Sequence, residues 1–178
     1  MRITVSGPPG SGKTTVAKML AEKLGYSYFS AGEIFRAEAR ARGVSLEEFG
    51  RIAEKDWSID RGLDLRLVEE MQCRDNTVFD GRLAGVLAAV HGINAFRIYV
   101  TAGVEERARR IAGRECVPLE EVRKAMIERE KSEAKRYMEI YGYDASKKEF
   151  YNLYIDTTEM RPEMVLEIIV CEFYKKRT

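Results

Sequence analysis

Residues Gly7-Pro8-Pro9-Gly10-Ser11-Gly12-Lys13-Thr14 fit the pattern G-x-x-x-x-G-K-[ST] at every fixed position. The pattern constrains the fold as well as the ligand, because it works only between a strand and a helix. Both flanks are present. Ile3-Thr4-Val5 reads as a short buried strand, and from Lys13 onward Val16, Ala17, Leu20, Ala21 and Leu24 recur at helical spacing. In that setting the glycines let successive backbone N–H groups turn inward around phosphate oxygens, at the positive end of a helix. Lys13 then reaches the terminal phosphates, the Thr14 hydroxyl binds Mg²⁺, and Thr15 ends the nucleotide-facing run. The competing reading is an ordinary glycine-rich turn.

Further apolar runs of strand type follow at Tyr26–Phe29, Thr77–Phe79, Arg97–Val100 and Leu153–Ile155. Helical patterns lie between them, which argues for a parallel α/β sheet. Ligands on such sheets bind beyond the carboxyl ends of the strands. The segments there are the glycine loop, Ser30-Ala31-Gly32, Asp80-Gly81-Arg82, Thr101-Ala102-Gly103 and Asp156-Thr157-Thr158.

The 178 residues suffice for one well-buried domain, taken as 1–178. Within it, about 45 residues separate the second and third runs, where a parallel crossover needs about a dozen. Phe35, Ala39, Leu46, Phe49, Ile52 and Ala53, then Ile59, Leu63, Leu67, Val68 and Met71, give this interval helical stripes. Gly43 breaks it, and Ser45 suits an N-cap. It reads as a helical insert over residues 31–75 that walls a cleft. A long helix is expected from Pro118 to Ile140 and a last one from Pro162 to Tyr174. The segment over 112–119, with Gly113 inside it, is expected to be a hinged lid.

Arginine placement carries the remaining chemistry. Arg36 opens the insert, Arg82 follows the third strand, Arg107 and Arg110 precede the lid, and Arg114 lies within it. Arg110 and Arg114 are candidates for the nucleotide. Arg129 and Arg136 stand seven apart on the long helix, so they share a face. Glu133 lies between them and is expected to hold both guanidinium groups. Arg107 and Arg109 are read as a solvated, salt-bridged surface. Two phosphorylated molecules meeting head to head bring about four negative charges together. Planar, permanently charged guanidinium groups neutralise such a cluster best. No general base is required, since a phosphomonoester is already mostly dianionic at pH 7. The single histidine, His91, is therefore read as structural or solvated. Asp80 ends a strand where a metal-organising carboxylate sits in phosphate-loop proteins, and it could bind Mg²⁺ or fix Arg82. A plain Asp-Gly turn explains it equally well.

Lys and Arg total 30 against 29 Asp and Glu, which argues against a general nucleic-acid or membrane binder. No apolar run approaches the ~18 residues of a membrane span, and no signal peptide is expected. Cys73, Cys116 and Cys171 are widely spaced, so a disulfide or zinc framework is not indicated and a reducing cytoplasmic location fits.

With these motifs on the page, the chain resembles the nucleoside monophosphate kinases, and most closely the cytidylate kinases of the short archaeal type. The resemblance rests on GPPGSGKTT at 7–15, SAGEIFR at 30–36, FDGRLAG at 79–85, EERARRI at 105–111 and REKSEAKR at 129–136. It implies a three-layer α/β/α phosphate-loop fold with a five-stranded parallel sheet, a helical monophosphate-binding insert and a short lid. It implies phosphoryl transfer from ATP to CMP or dCMP with Mg²⁺. A monomer with no nucleic-acid or membrane partner is expected beside it. Lys13, Arg82, Arg129 and Arg136 become the expected catalytic residues. Ser30, Gly32, Arg36, Asp80 and Gly81 join the expected substrate site. Bacterial members read Asp-Ser-Gly where this chain has Ser30-Ala31-Gly32, and carry an Asp where it has Thr101. The base contacts therefore do not carry over, and Asp60, Asp64 and Arg66 are the substitute candidates. Trp57 or a tyrosine could stack on the base, although packing explains each as well. Rival readings are an adenylate kinase-like enzyme acting on AMP and a phosphate-loop ATPase acting as a switch. The arginine set counts against the switch.

Overall fold

The computed structural model describes residues 1–176. Its strands are β1 (Arg2–Ser6), β2 (Ser27–Ser30), β3 (Thr77–Asp80), β4 (Ala95–Thr101) and β5 (Leu153–Asp156). They form one parallel sheet in the order β2-β3-β1-β4-β5. Each apolar run read from the sequence overlaps one strand. The helices are α1 (Lys13–Leu24), α2 (Ala31–Ala41), α3 (Leu46–Lys55), α4 (Ser58–Cys73), α5 (Ala84–Val90), α6 (Val104–Glu115), α7 (Leu119–Tyr141) and α8 (Pro162–Lys175).

A parallel sheet needs cover on both faces. In β3 all four residues are buried. Val78 faces the layer of α1 and α8, where Leu20, Ile169 and Phe173 meet Ile3, Phe96 and Ile98. Its neighbour Phe79 faces the layer of α4 and α5, with Leu67, Met71 and Val86. Burying each such side chain contributes about 1.5–3 kcal/mol. The result is a three-layer α/β/α arrangement.

The long interval between β2 and β3 folds as α2, α3 and α4 around a small core of its own, built on Ala39, Phe49, Ala53 and Ile59. The Ser30 hydroxyl accepts the Glu33 amide at 3.2 Å and starts α2; the Ser45 hydroxyl accepts the Glu48 amide at 3.1 Å and starts α3. Each satisfies an amide with no partner inside its helix.

The segment over 112–119 begins as helix. Gly113 does not break the chain, because α6 continues through it to Glu115. The turn comes at Cys116, which takes a left-handed conformation at φ 55°. A helical glycine costs only about 1 kcal/mol. Ala108 and Ile111 of α6, packed on Val122 and Met126 of α7, outweigh it. Helix α7 runs from Leu119 to Tyr141, each end one residue from the span read in the sequence, and Gly142 caps it. All three cysteines are exposed, as is His91 at the end of α5. Among the described residues no helix is long and apolar enough to cross a membrane.

Candidate active site

Strand β1 delivers the glycine loop to the carboxyl edge of the sheet, between β3 and β4. A methyl group on Gly7 would stand 2.0 Å from the Val100 carbonyl oxygen, and one on Gly10 would stand 2.5 Å from that of Arg107. Both glycines also have positive φ. The motif thus wraps backbone against backbone, which a turn of other residues could not do. Helix α1 starts at Lys13 with no acidic residue in its first turn, so its positive end is left for an external anion. Burial, and then Arg82, lower the Lys13 ammonium to about pKa 7 against the pull of Asp80 and Glu133. Its charge awaits a phosphate.

The arginines of α6 hold the loop from outside. Arg107 is 5% exposed, which corrects its reading as a solvated surface residue. Its guanidinium donates to the carbonyls of Ala102 at 2.9 Å and Pro9 at 3.1 Å, and it pairs with Glu130. The EERARRI run hid this, because the partners lie in the loop and on α7. Arg109 does stay on the surface, paired with Glu106. Arg110, expected at the nucleotide, donates to the Thr157 carbonyl at 2.6 Å, to the Thr157 hydroxyl at 3.1 Å and to the Ser11 carbonyl at 3.5 Å. It therefore ties the loop to the segment after β5. Arg114 is exposed beside Glu115, at the mouth of the cleft.

Asp80 organises the other side of the loop. Its Oδ2 accepts the Thr14 hydroxyl at 2.7 Å, the Tyr28 hydroxyl at 2.9 Å and the Ser30 hydroxyl at 3.5 Å. Its Oδ1 is buried and has no hydrogen-bond partner. A buried carboxylate oxygen left open beside a loop threonine suits a hydrated hard cation, so the donor set fits Mg²⁺. Asp80 makes no bond to Arg82 among the described residues. Tyr28 was not singled out from the sequence; its place on β2, beside the end of β3, emerges only from strand order.

The arginine clamp forms, with its carboxylates rearranged. Arg82 Nε lies 2.8 Å from Glu133 Oε2, and a second nitrogen donates to the Gly7 carbonyl at 2.9 Å. Arg129 Nε lies 2.8 Å from Glu133 Oε1. Glu133 thus holds Arg82 and Arg129, rather than the expected Arg129 and Arg136. Burial opposes its charge, but the surrounding arginines prevail and hold it below the usual carboxylate range. Arg136 turns to α4, where Nε reaches Asp60 Oδ2 at 2.7 Å, and it also donates to the Ser132 hydroxyl at 2.8 Å. Both members of that pair are buried, and a buried guanidinium takes the nearest free carboxylate. Asp60, expected as a base reader, is therefore Arg136's partner through one oxygen. Arg36 is exposed beside Gly32 and makes no hydrogen bond or ion pair among the described residues.

These groups surround one cavity of about 770 Å³ between the loop, the insert and α7. Lys13, Thr14, Asp80 and Arg82 line its loop end. Pro9, Gly10, Ser30, Gly32 and Gly81 give it backbone wall, and Arg36, Arg129, Arg136, Asp60 and Asp64 line the insert side. Gly7, Pro8, Ser11, Gly12, Thr15 and Arg110 do not border it. Neither do Arg66 and Trp57, which are exposed.

A family model described as the cytidylate kinase-like family matches residues 2–159. A cytidylate kinase of Desulfurococcus amylolyticus is 44% identical over 169 residues, covering 95% of this chain and 90% of that protein. A cytidylate kinase of Ignicoccus hospitalis is 42% identical over 167 residues, covering 94% and 95%. Among solved structures, the shikimate kinase of Acinetobacter baumannii bound to shikimate superposes with a TM-score of 0.65. It is 21% identical, and 98% of this chain and 93% of that one are covered, a likeness of fold.

Proposed function

The chain belongs to the cytidylate kinase-like family, and from that membership we propose that it transfers the γ-phosphoryl group of ATP to CMP or dCMP, giving ADP and (d)CDP. The observation that carries the reading is the clamp of Arg82 and Arg129 on Glu133, which lines the same cavity as Lys13. An ATPase switch needs no second phosphate site opposite its loop.

In this mechanism Lys13 and the backbone amides of residues 7–15 hold the β- and γ-phosphates of ATP. Arg36, Arg82, Arg129 and Arg136 receive the monophosphate, with Ser30, Gly32 and Gly81 along its path. Its phosphate oxygen is the nucleophile and is ionised at neutral pH, so no side chain need take a proton. Lys13, Arg82 and Arg129 then stabilise charge on the transferring group, in a cleft where water is scarce. Mg²⁺ would supply charge neutralisation at the phosphates, and Thr14 and Asp80 are the residues that would hold it. Arg110 keeps the loop in shape beside the donor nucleotide, and Arg114 covers it from the lid over 112–119. Asp60 and Asp64 lie on the insert side, where the base belongs. The reaction fits a cytoplasmic monomer with nucleotides as its partners and no nucleic acid or membrane.

The test is coupled ADP formation with Mg-ATP and each of CMP, dCMP, UMP, AMP and GMP. Strong turnover with CMP and dCMP supports the reading. Preference for AMP overturns the acceptor, and ATP loss unaffected by any monophosphate overturns the kinase reading.

A further inference from the structure

Asp64 stands apart from the other acids of the cavity. It lies on α4 one turn after Asp60 and is 9% exposed. Asp60 has a cation against it, Arg136 at 2.7 Å. Asp64 has none within ion-pair distance among the described residues. Its Oδ2 accepts the Tyr141 hydroxyl at 2.8 Å, and its Oδ1 has no hydrogen-bond partner among them. Leu63 and Leu67 of the same helix give the cavity apolar wall beside it. An ionised carboxylate in such a place is costly, and a protonated one is not.

We propose that Asp64, held by Tyr141, selects cytosine over uracil by offering its free oxygen to the base edge as a hydrogen-bond donor. The inference rests on the monophosphate kinase reading and names the base reader within it. Cytosine carries a bare acceptor at ring N3, whereas uracil carries an N–H there. A carboxylic acid donates to the first and meets the second donor to donor. The other distinguishing group of cytosine, its exocyclic amine, needs an acceptor, and Asp60 keeps an oxygen outside its Arg136 bond. A site built to hydrogen-bond a polar edge discriminates strongly, because the wrong base leaves buried groups unpaired.

The groups facing Asp64 set when it carries the proton. They are Asp60 and Arg61 on its own helix, Arg136, Tyr137 and Tyr141 on α7, and His91 after α5 across a smaller groove. Burial raises its pKa most, the Tyr141 hydrogen bond draws it back, Asp60 raises it and Arg136 lowers it, leaving it at about 7. Below that pH Asp64 is a donor suited to cytosine. Above it Asp64 is an acceptor suited to the uracil N–H. The preference for cytosine is therefore greatest in acid and falls as pH rises.

The experiment is kcat/KM for CMP and for UMP from pH 6 to 8, in the intact protein and in Asp64→Asn and Tyr141→Phe. The two substrates share phosphate and ribose, so titration of the phosphate and of Lys13 cancels in their ratio. Since kcat/KM reports the free enzyme, the wild-type CMP/UMP ratio should fall about a hundredfold over this range, following the ratio of protonated to ionised Asp64. Asp64→Asn donates through its amide at every pH, so its ratio should favour CMP and stay flat. Tyr141→Phe removes a donor that favours the carboxylate and should move the fall to higher pH. A flat wild-type ratio, or an Asp64→Asn variant with the wild-type slope, overturns the proposal. Absence of turnover with both pyrimidines overturns the kinase reading beneath it, an outcome distinct from a flat ratio.

Discussion

Arg82 and Glu133 meet at 2.8 Å and join the turn after β3 to the middle of α7. The contact fixes the arginine that also holds the Gly7 carbonyl, so one carboxylate links the acceptor side of the cleft to the phosphate loop. Glu133→Gln removes the charge and leaves Arg82, Arg129 and Arg136 repelling one another. Breaking a buried pair of this kind costs about 3–5 kcal/mol. The variant should lose about that much stability and recover part of it in sulfate or phosphate, more than wild type does. Denaturant midpoints with and without sulfate check this. Because the folded pKa of Glu133 is depressed, its contribution is present above the unfolded carboxylate pKa and lost as pH falls through the folded value.

Lys13 should take up a proton when nucleotide binds. With its pKa near 7 in the free protein, most of the ammonium is deprotonated at pH 8. Phosphate oxygens beside it favour the charged form and raise that pKa. Calorimetry of ATP binding at pH 8, in two buffers of different ionisation enthalpy, should show uptake approaching one proton. Lys13→Ala should abolish both the uptake and phosphoryl transfer while the fold persists. Equal binding enthalpies in the two buffers would remove this reading of Lys13.

Asp80→Asn should weaken the hold on Mg²⁺. The amide keeps an acceptor for the Thr14 and Tyr28 hydroxyls but puts an uncharged NH₂ group in place of the open oxygen. The half-saturating Mg²⁺ concentration should rise about tenfold or more, in line with the loss of one charge-assisted contact of about 1.5–3 kcal/mol. Titrating Mg²⁺ into the protein with ADP checks this by calorimetry, independently of turnover.

Gly7→Ala should destabilise the protein without touching a charged group. Its methyl would overlap the Val100 carbonyl oxygen, so strand β4 must shift. Overpacking and strain of this order cost about 1–3 kcal/mol each. Thermal unfolding of the variant beside wild type gives the value, and an unchanged midpoint would show that the loop has room to spare.

Much of the frame was legible because it is local. The strand runs, the Ser45 cap and the stripe of α7 are written within single segments, and the glycine pattern fixes its own geometry. The spacing of Arg129, Glu133 and Arg136 placed them on one face correctly. It could not say which carboxylate each arginine takes, because Arg136 finds Asp60 across 76 residues and Arg82 reaches Glu133 across 51. Arg107 was misread for the same reason. Its partner Pro9 lies 98 residues away, and a charged run on a helix carries no mark of which face is buried. Tyr28 was invisible until β2 was placed beside β3.

Helix α6 is fastened at its middle to the phosphate loop and along one face to α7. Arg107 and Arg110 grip the carbonyls of Pro9 and Ser11, while the far end carries Arg114 and the left-handed turn at Cys116. It is in effect a beam on two supports, the phosphate loop and α7. A displacement of α6 would therefore strain the outer wall of the phosphate cradle and the seam with α7 together.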